Sequence, residues 1–168
     1  MGIIEKMRLD GKAIYVTGAA SGIGRCAAMA FAEAGADVAI VDINLEGAQK
    51  VADEIKEATG SNTIAIECDV TNQDHVEAIV AKVFETYGKL YACYNNAGIC
   101  INQPAEEMTF EQWKKVIDIN LTGVYLCATA AGRVMLKQGY GSIINTASMS
   151  GHIVNVPQPQ CAYNASKA

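Results

Sequence analysis

Tyr163 and Lys167 stand four residues apart in the closing stretch CAYNASKA. On a helix, that spacing leaves the two side chains about 40° apart around the axis, on one face. A phenol with an ordinary pKa of about 10 is a poor base at neutral pH, but a neighbouring ammonium favours the phenolate. The pair is therefore a candidate proton-transfer couple. Alone, it is also a spacing that chance supplies, so the rest of the chain must decide.

A second constellation is the loop TGAASGIG, whose Gly18, Gly22 and Gly24 fall in the spacing G-x-x-x-G-x-G between an apolar strand and a helix. Glycine lets the backbone turn tightly and approach a pyrophosphate, while the helix N-terminus supplies free N–H donors. Gly18, Ser21, Gly22, Ile23 and Gly24 are thus candidate dinucleotide contacts. Asp42 ends the next strand, 18 residues after Gly24. There a carboxylate accepts hydrogen bonds from ribose hydroxyls and repels a 2′-phosphate. No Arg or Lys stands at Ser21 or Ile43 to receive that phosphate. The reading favours NAD over NADP, against the plainer alternative that Asp42 only caps a loop.

The elements that must carry these groups alternate. AIYV (13–16), DVAIVD (37–42), NTIAIECDV (62–70), LYACYN (90–95) and GSIINTAS (141–148) read as five strands. Between them lie helices over 26–35, 44–60 and 72–87, then a long helical region over 109–138 in two stretches. Leu45, Ala48, Val51, Ala52 and Ile55 form one apolar stripe, and Val76, Ile79, Val80, Val83 and Phe84 another. Thr71 or Asn72 caps the third helix, Thr109 and Gln112 make a capping box, and Gly123 is a weak point. A last helix begins near Tyr163. Strand–helix alternation with apolar strands predicts an α/β fold: one doubly wound parallel sheet, helices on both faces.

Composition narrows the function classes. The 168 residues are 51% hydrophobic and 18% charged, with a net charge of −5 and no basic cluster. That argues against nucleic acid and against an anionic membrane surface. There is no signal-peptide pattern, and the uncharged run between Asp118 and Arg133 is fourteen residues, short of the roughly 20 a spanning helix needs. A cytoplasmic location is the default. Six cysteines without a C-x-x-C pair, and two isolated histidines, predict reduced, mostly buried thiols and no metal site.

These features in this order resemble the short-chain dehydrogenase/reductase family: the three glycines, Asp42, Asp69-Val70, NNAG at 95–98, Asn120, Ser148, then Tyr163 and Lys167. The resemblance covers the whole chain and implies a single Rossmann-fold domain that binds a nicotinamide cofactor. It implies that Asp69 accepts the adenine amino group beside the Val70 backbone. Asn96, Ala97 and Gly98 would wall the adenosine, and Asn120 would anchor a water leading to Lys167. Ser148 would hold the substrate oxygen, Tyr163 would exchange its proton, and Lys167 would also reach the nicotinamide ribose. Ser148 is preferred by its place at the strand end. Ser150 is the alternative, because it restores the family's usual gap to Tyr163.

The stretch SMSGHIVNVPQPQCAYNASKA further resembles the polyol dehydrogenase branch, which interconverts sugar alcohols and ketoses. Asn155, Gln158 and Gln160 could serve many hydroxyls, with Asn155 the first substrate candidate; the alternative is a polar surface loop held by its prolines. The leading expectation is an NAD-dependent polyol dehydrogenase acting on sorbitol, galactitol, mannitol or xylitol. The alternatives are a 3-oxoacyl thioester or other carbonyl reductase, which would favour NADPH, and a catalytically silent dinucleotide-binding protein. In the family the long helix pairs across a subunit interface, which implies a homotetramer. Family members run roughly half as long again, with two more strands and a substrate loop after the lysine, so the sequence is expected to be a fragment.

Overall fold

The computed structural model describes residues 2–168. In chain order the elements are α1 (Ile3–Lys6), β1 (Ala13–Thr17), α2 (Gly22–Glu33), β2 (Asp37–Asp42), α3 (Leu45–Thr59), β3 (Thr63–Glu67) and α4 (Gln73–Tyr87). They continue with β4 (Ala92–Asn95), α5 (Phe110–Ile117), a π-helical turn (Asp118–Thr122), α6 (Gly123–Gln138) and β5 (Ser142–Asn145). A 3₁₀ turn (Met149–Gly151) and α7 (Cys161–Lys167) close the chain. All five expected strands form, and they pair in parallel in the order β3-β2-β1-β4-β5.

Every residue of β1 is buried, because successive side chains leave opposite faces of a sheet covered on both sides. Ile14, Val16, Val38 and Ile40 join Ala28 and Ala32 of α2 and Val51 and Ile55 of α3 in one core. Tyr15, Ala39 and Val41 join Val76, Ile79 and Val83 of α4 and Cys127, Ala131 and Met135 of α6 in the other. The doubly wound arrangement is the one the apolar runs predict.

The caps follow sequence as well. The Asn72 side chain accepts from the Asp74 and His75 backbone N–H groups, so it, not Thr71, caps α4. Thr109 Oγ1 accepts from Gln112 N while Gln112 Oε1 accepts from Thr109 N, the reciprocal box expected at α5. Two stripe residues depart from expectation. Leu45 and Phe84 are each 43% exposed. Both sit in terminal turns of their helices, where periodicity continues but the core does not. β5 is exposed throughout, Ile143 and Ile144 included, as the outer strand of the sheet.

The region 110–138 is one unbroken helical run, long and apolar enough by length and composition to cross a bilayer. The fourteen-residue limit set by its uncharged stretch therefore excludes less than expected. Its packing identifies its role: Cys127, Ala130, Ala131 and Met135 are buried against the sheet and α4. Within it, Gly123 N donates to Asp118 O, five residues back, and that wider turn carries the buried Asn120. The predicted weak point at Gly123 is instead a close contact. A Cβ built there would lie 2.8 Å from Val70 Cγ2 and 3.3 Å from Val70 O. Gly123→Ala should push the helix off Val70 and lower stability by about 1–3 kcal/mol, read as a fall in the urea midpoint.

Candidate active site

The sheet order reverses direction between β1 and β4, and a cleft of about 770 Å³ opens at the carboxyl ends of the strands around that point. Its size suits a dinucleotide with a small second ligand. Gly18, Ser21, Gly22, Ile23 and Asp42 line one end, Asp69, Val70 and Asn96–Gly98 the middle, and Ser148, Ser150, Asn155, Tyr163 and Lys167 the other. Of the candidate site residues, only Gly24 and Asn120 do not line the cleft.

Gly24 contributes closeness. A Cβ there would fall 2.3 Å from Gly18 O, so α2 could not approach the end of β1. Gly22, at φ +54°, has open space where a side chain would stand. The N-cap Ser21 makes no side-chain hydrogen bond to the helix, which leaves the first N–H groups of α2 facing the cleft. Asp42 organises this end: Oδ2 accepts from Ala20 N and Oδ1 from Asn44 N, both at 3.0 Å. Capping a loop and facing the cleft are thus compatible roles for one carboxylate. Asp69 Oδ1 accepts from the Thr71 backbone N–H and hydroxyl, while Oδ2 has no partner among the described residues.

The NNAG turn is tied to three strand ends. Thr17 Oγ1, at the end of β1, accepts from both Asn96 N (3.0 Å) and Ala97 N (3.1 Å). Asn96 Nδ2 donates to Thr17 O and Gly18 O, and Asn96 Oδ1 accepts from the Thr146 hydroxyl just past β5. Thr146 O in turn accepts from Lys167 Nζ at 2.7 Å. A continuous path of hydrogen bonds therefore joins the glycine loop to the lysine.

Lys167 Nζ lies 5.9 Å from the centre of the Tyr163 ring, so the two side chains share a face as their spacing requires. Half-burial pushes the Lys167 pKa below the usual lysine value. Helix α7 starts at Cys161, two residues before the expected place. Asn120 is 3% exposed, and both polar atoms of its amide have partners. Oδ1 accepts from Ile99 N, and Nδ2 donates to Ile99 O and Ser166 Oγ. Ser166 Oγ donates to Tyr163 O, so Asn120 braces both the NNAG segment and α7. Both Nδ2 hydrogens are thus committed to protein partners, and Oδ1 keeps its second lone pair.

The two serines differ plainly. Ser148 caps the 3₁₀ turn, accepts from Ser150 N at 3.1 Å and leaves its hydroxyl proton uncommitted among the described residues. Ser150 is 5% exposed, and its oxygen accepts from Asn155 Nδ2 at 2.7 Å and from Gln160 Nε2 at 3.1 Å. Sequence reasoning missed the bracing residues Thr17, Thr146 and Ser166. The available signal was a hydroxyl ending a fully apolar strand, as Thr17 does, since a buried hydroxyl must find partners.

Three of the cysteines are buried thiols. Burial pushes the Cys93 thiol up to about 11 and those of Cys68 and Cys127 up to about 12, so they stay protonated. Cys26 and Cys100 are exposed, against the expectation of general burial, and no disulfide joins any pair among the described residues.

The model of the family described as "short chain dehydrogenase" matches residues 12–168. A "Probable NADP-dependent mannitol dehydrogenase" of Yarrowia lipolytica is 44% identical over 167 residues, a match that covers 98% of this chain and 60% of that protein. An "NAD-dependent glycerol dehydrogenase" of Listeria innocua is 36% identical over 99% of this chain and 63% of its own length. A solved short-chain type dehydrogenase/reductase from Mycobacterium marinum superposes with a TM-score of 0.96 at 42% identity, covering 99% of this chain and 68% of that one. The chain spans about 60% of the length of the curated relatives it matches.

Thr17→Val keeps the shape but strands two backbone N–H groups inside the protein. It should cost about 2–4 kcal/mol, measured by urea denaturation, and weaken cofactor binding in the same variant.

Proposed function

This chain belongs to the short-chain dehydrogenase family, and on that premise we propose that it is part of an NAD-dependent oxidoreductase that interconverts a polyol and its ketose. The observation that carries the reading is the single cleft holding a glycine-loop helix end, the Asp42 carboxylate beside it and the Tyr163–Lys167 pair. The cleft fits a nicotinamide dinucleotide: space stands open at Gly22, Asp42 lines the ribose end and Lys167 the opposite end. When bound, that group would accept or return hydride at its nicotinamide ring.

The protein's part is placement and proton transfer. Ser148 holds the substrate oxygen with its free hydroxyl proton. Tyr163 takes the carbinol proton during oxidation and returns it during reduction, with the Lys167 ammonium favouring the phenolate. Lys167 itself is steadied by Thr146 O. Ser150 is less open to a substrate oxygen than Ser148, because it is 5% exposed and two amide N–H groups already hold its oxygen.

NAD is favoured over NADP by the lining of the cleft. Asp42 stands at the ribose end, and Lys167, at the opposite end, is the only Lys or Arg among the lining residues. Among the described residues no other Lys or Arg lines the cleft to neutralise a 2′-phosphate, and the Arg25 guanidinium is engaged with Glu54. The polyol class draws on the relatives' names and on the amides between Ser148 and Tyr163. We further propose that Leu121 and Tyr125, exposed on the long helix, face a second copy in a homotetramer.

With full-length protein, NADH should form from at least one of sorbitol, galactitol, mannitol and xylitol, and Tyr163→Phe should reduce turnover by about 10²–10⁴-fold while cofactor still binds. No NADH from any of them would overturn the polyol reading. Asp42→Ala should move the ratio of kcat/KM values toward NADP by roughly 10- to 100-fold, and a wild-type preference for NADP would refute the assignment of Asp42.

A further inference from the structure

The segment between Ser148 and Tyr163 is built around two buried polar side chains outside the proton-transfer set, Ser150 and Gln160, which are 5% and 7% exposed. Ser150 Oγ receives Asn155 Nδ2 and Gln160 Nε2. Gln160 Oε1 receives the Cys100 thiol at 3.3 Å, and Gln103 N donates to Pro159 O at 2.7 Å. The segment after β5 is thereby pinned to the segment after NNAG, across the substrate end of the cleft.

Asn155 is the one member of this group whose amide is only half used. Its Nδ2 is held by Ser150, and its Oδ1 has no partner among the described residues although Asn155 lines the cleft. Held by Ser150, Asn155 offers the cleft an unpartnered acceptor in Oδ1, with the second Nδ2 hydrogen beside it. A fixed acceptor accepts a hydroxyl proton and gains nothing from an alkyl group. It leaves a polar group unpaired against an alcohol that lacks the second hydroxyl.

Resting on the dehydrogenase reading above, we propose that Ser150 and Gln160 are positioning residues which lock Asn155, and that Asn155 Oδ1 selects substrates carrying a second hydroxyl. The site is thereby set for vicinal diols and longer polyols over simple secondary alcohols. Ser148 and Tyr163 then serve the reacting oxygen, while Asn155 reads another.

The test compares 2,3-butanediol with 2-butanol, which differ by one hydroxyl, using full-length protein with NAD. Ser150→Ala, Gln160→Met and Asn155→Ala should each lower kcat/KM for the diol by roughly 10- to 100-fold, chiefly through KM, and leave 2-butanol within about threefold. Ser150→Ala combined with Asn155→Ala should be no worse than Asn155→Ala alone, since Ser150 acts through Asn155. Ser150→Thr, which keeps the hydroxyl, should restore the preference and guards against a variant that merely misfolds. If both alcohols fall together, or the two losses multiply, the positioning role is refuted while the dehydrogenase reading stands. If the wild type oxidises no alcohol with either cofactor, that reading fails and the clasp falls with it.

Discussion

Everything at the carboxyl edge of the sheet depends on how three parallel strands end. β1, β4 and β5 stop at one level, and their last backbone groups have no further strand to pair with. Buried N–H groups left there would each cost about 1–3 kcal/mol. Thr17, Asn96 and Thr146 meet this demand together, Thr17 closing its strand and the other two directly following theirs. Because the Thr146 carbonyl also receives Lys167, the solution to a folding problem fixes the position of the ammonium proposed to favour the Tyr163 phenolate. Stability and chemistry share the same few bonds.

The charge layout of the cleft follows from this economy. The Asp42 carboxylate lines the end beside the glycine loop, that of Asp69 the middle, and the Lys167 ammonium the other end. Both carboxylates are already oriented by backbone N–H groups, so neither must reorganise to meet a ligand. A site preorganised in this way loses little freedom on binding.

Much of this was legible in the sequence, and the reasons are local. Apolar runs of strand length, glycines at helix ends and side-chain caps at Asn72 and Thr109 are decided by neighbouring residues, so periodicity and capping rules found them. The candidate residues from Gly18 to Lys167 do converge on one cleft, since order along a doubly wound sheet maps directly onto position. What resisted reading was non-local. Nothing in the sequence around Thr17 says that its hydroxyl meets residues 79 and 80 positions away. Nor does a mid-helix Asn announce contacts with Ile99 and Ser166. Place at the strand end favours Ser148 over Ser150, but the amides that reach Ser150 come from a folded loop and leave no local pattern. Leu45 and Phe84 fit their stripes because a helical period has no knowledge of where the core stops.

The π-helical turn at Asp118–Thr122 has a consequence for how this protein can vary. It holds one residue more than an α-helical turn, so everything after it is screwed around the axis by about 100° relative to a regular helix. The faces of α5 and α6 therefore run out of phase, and a sequence comparison that aligns them as one continuous repeat will misplace one of the two. Deleting a single residue here is the rare helix deletion that would improve backbone regularity. It would also swing Asn120 away from Ile99 and Ser166, letting go of α7. Length between Asp118 and Gly123 is thus constrained together with Asn120 and Gly123 themselves.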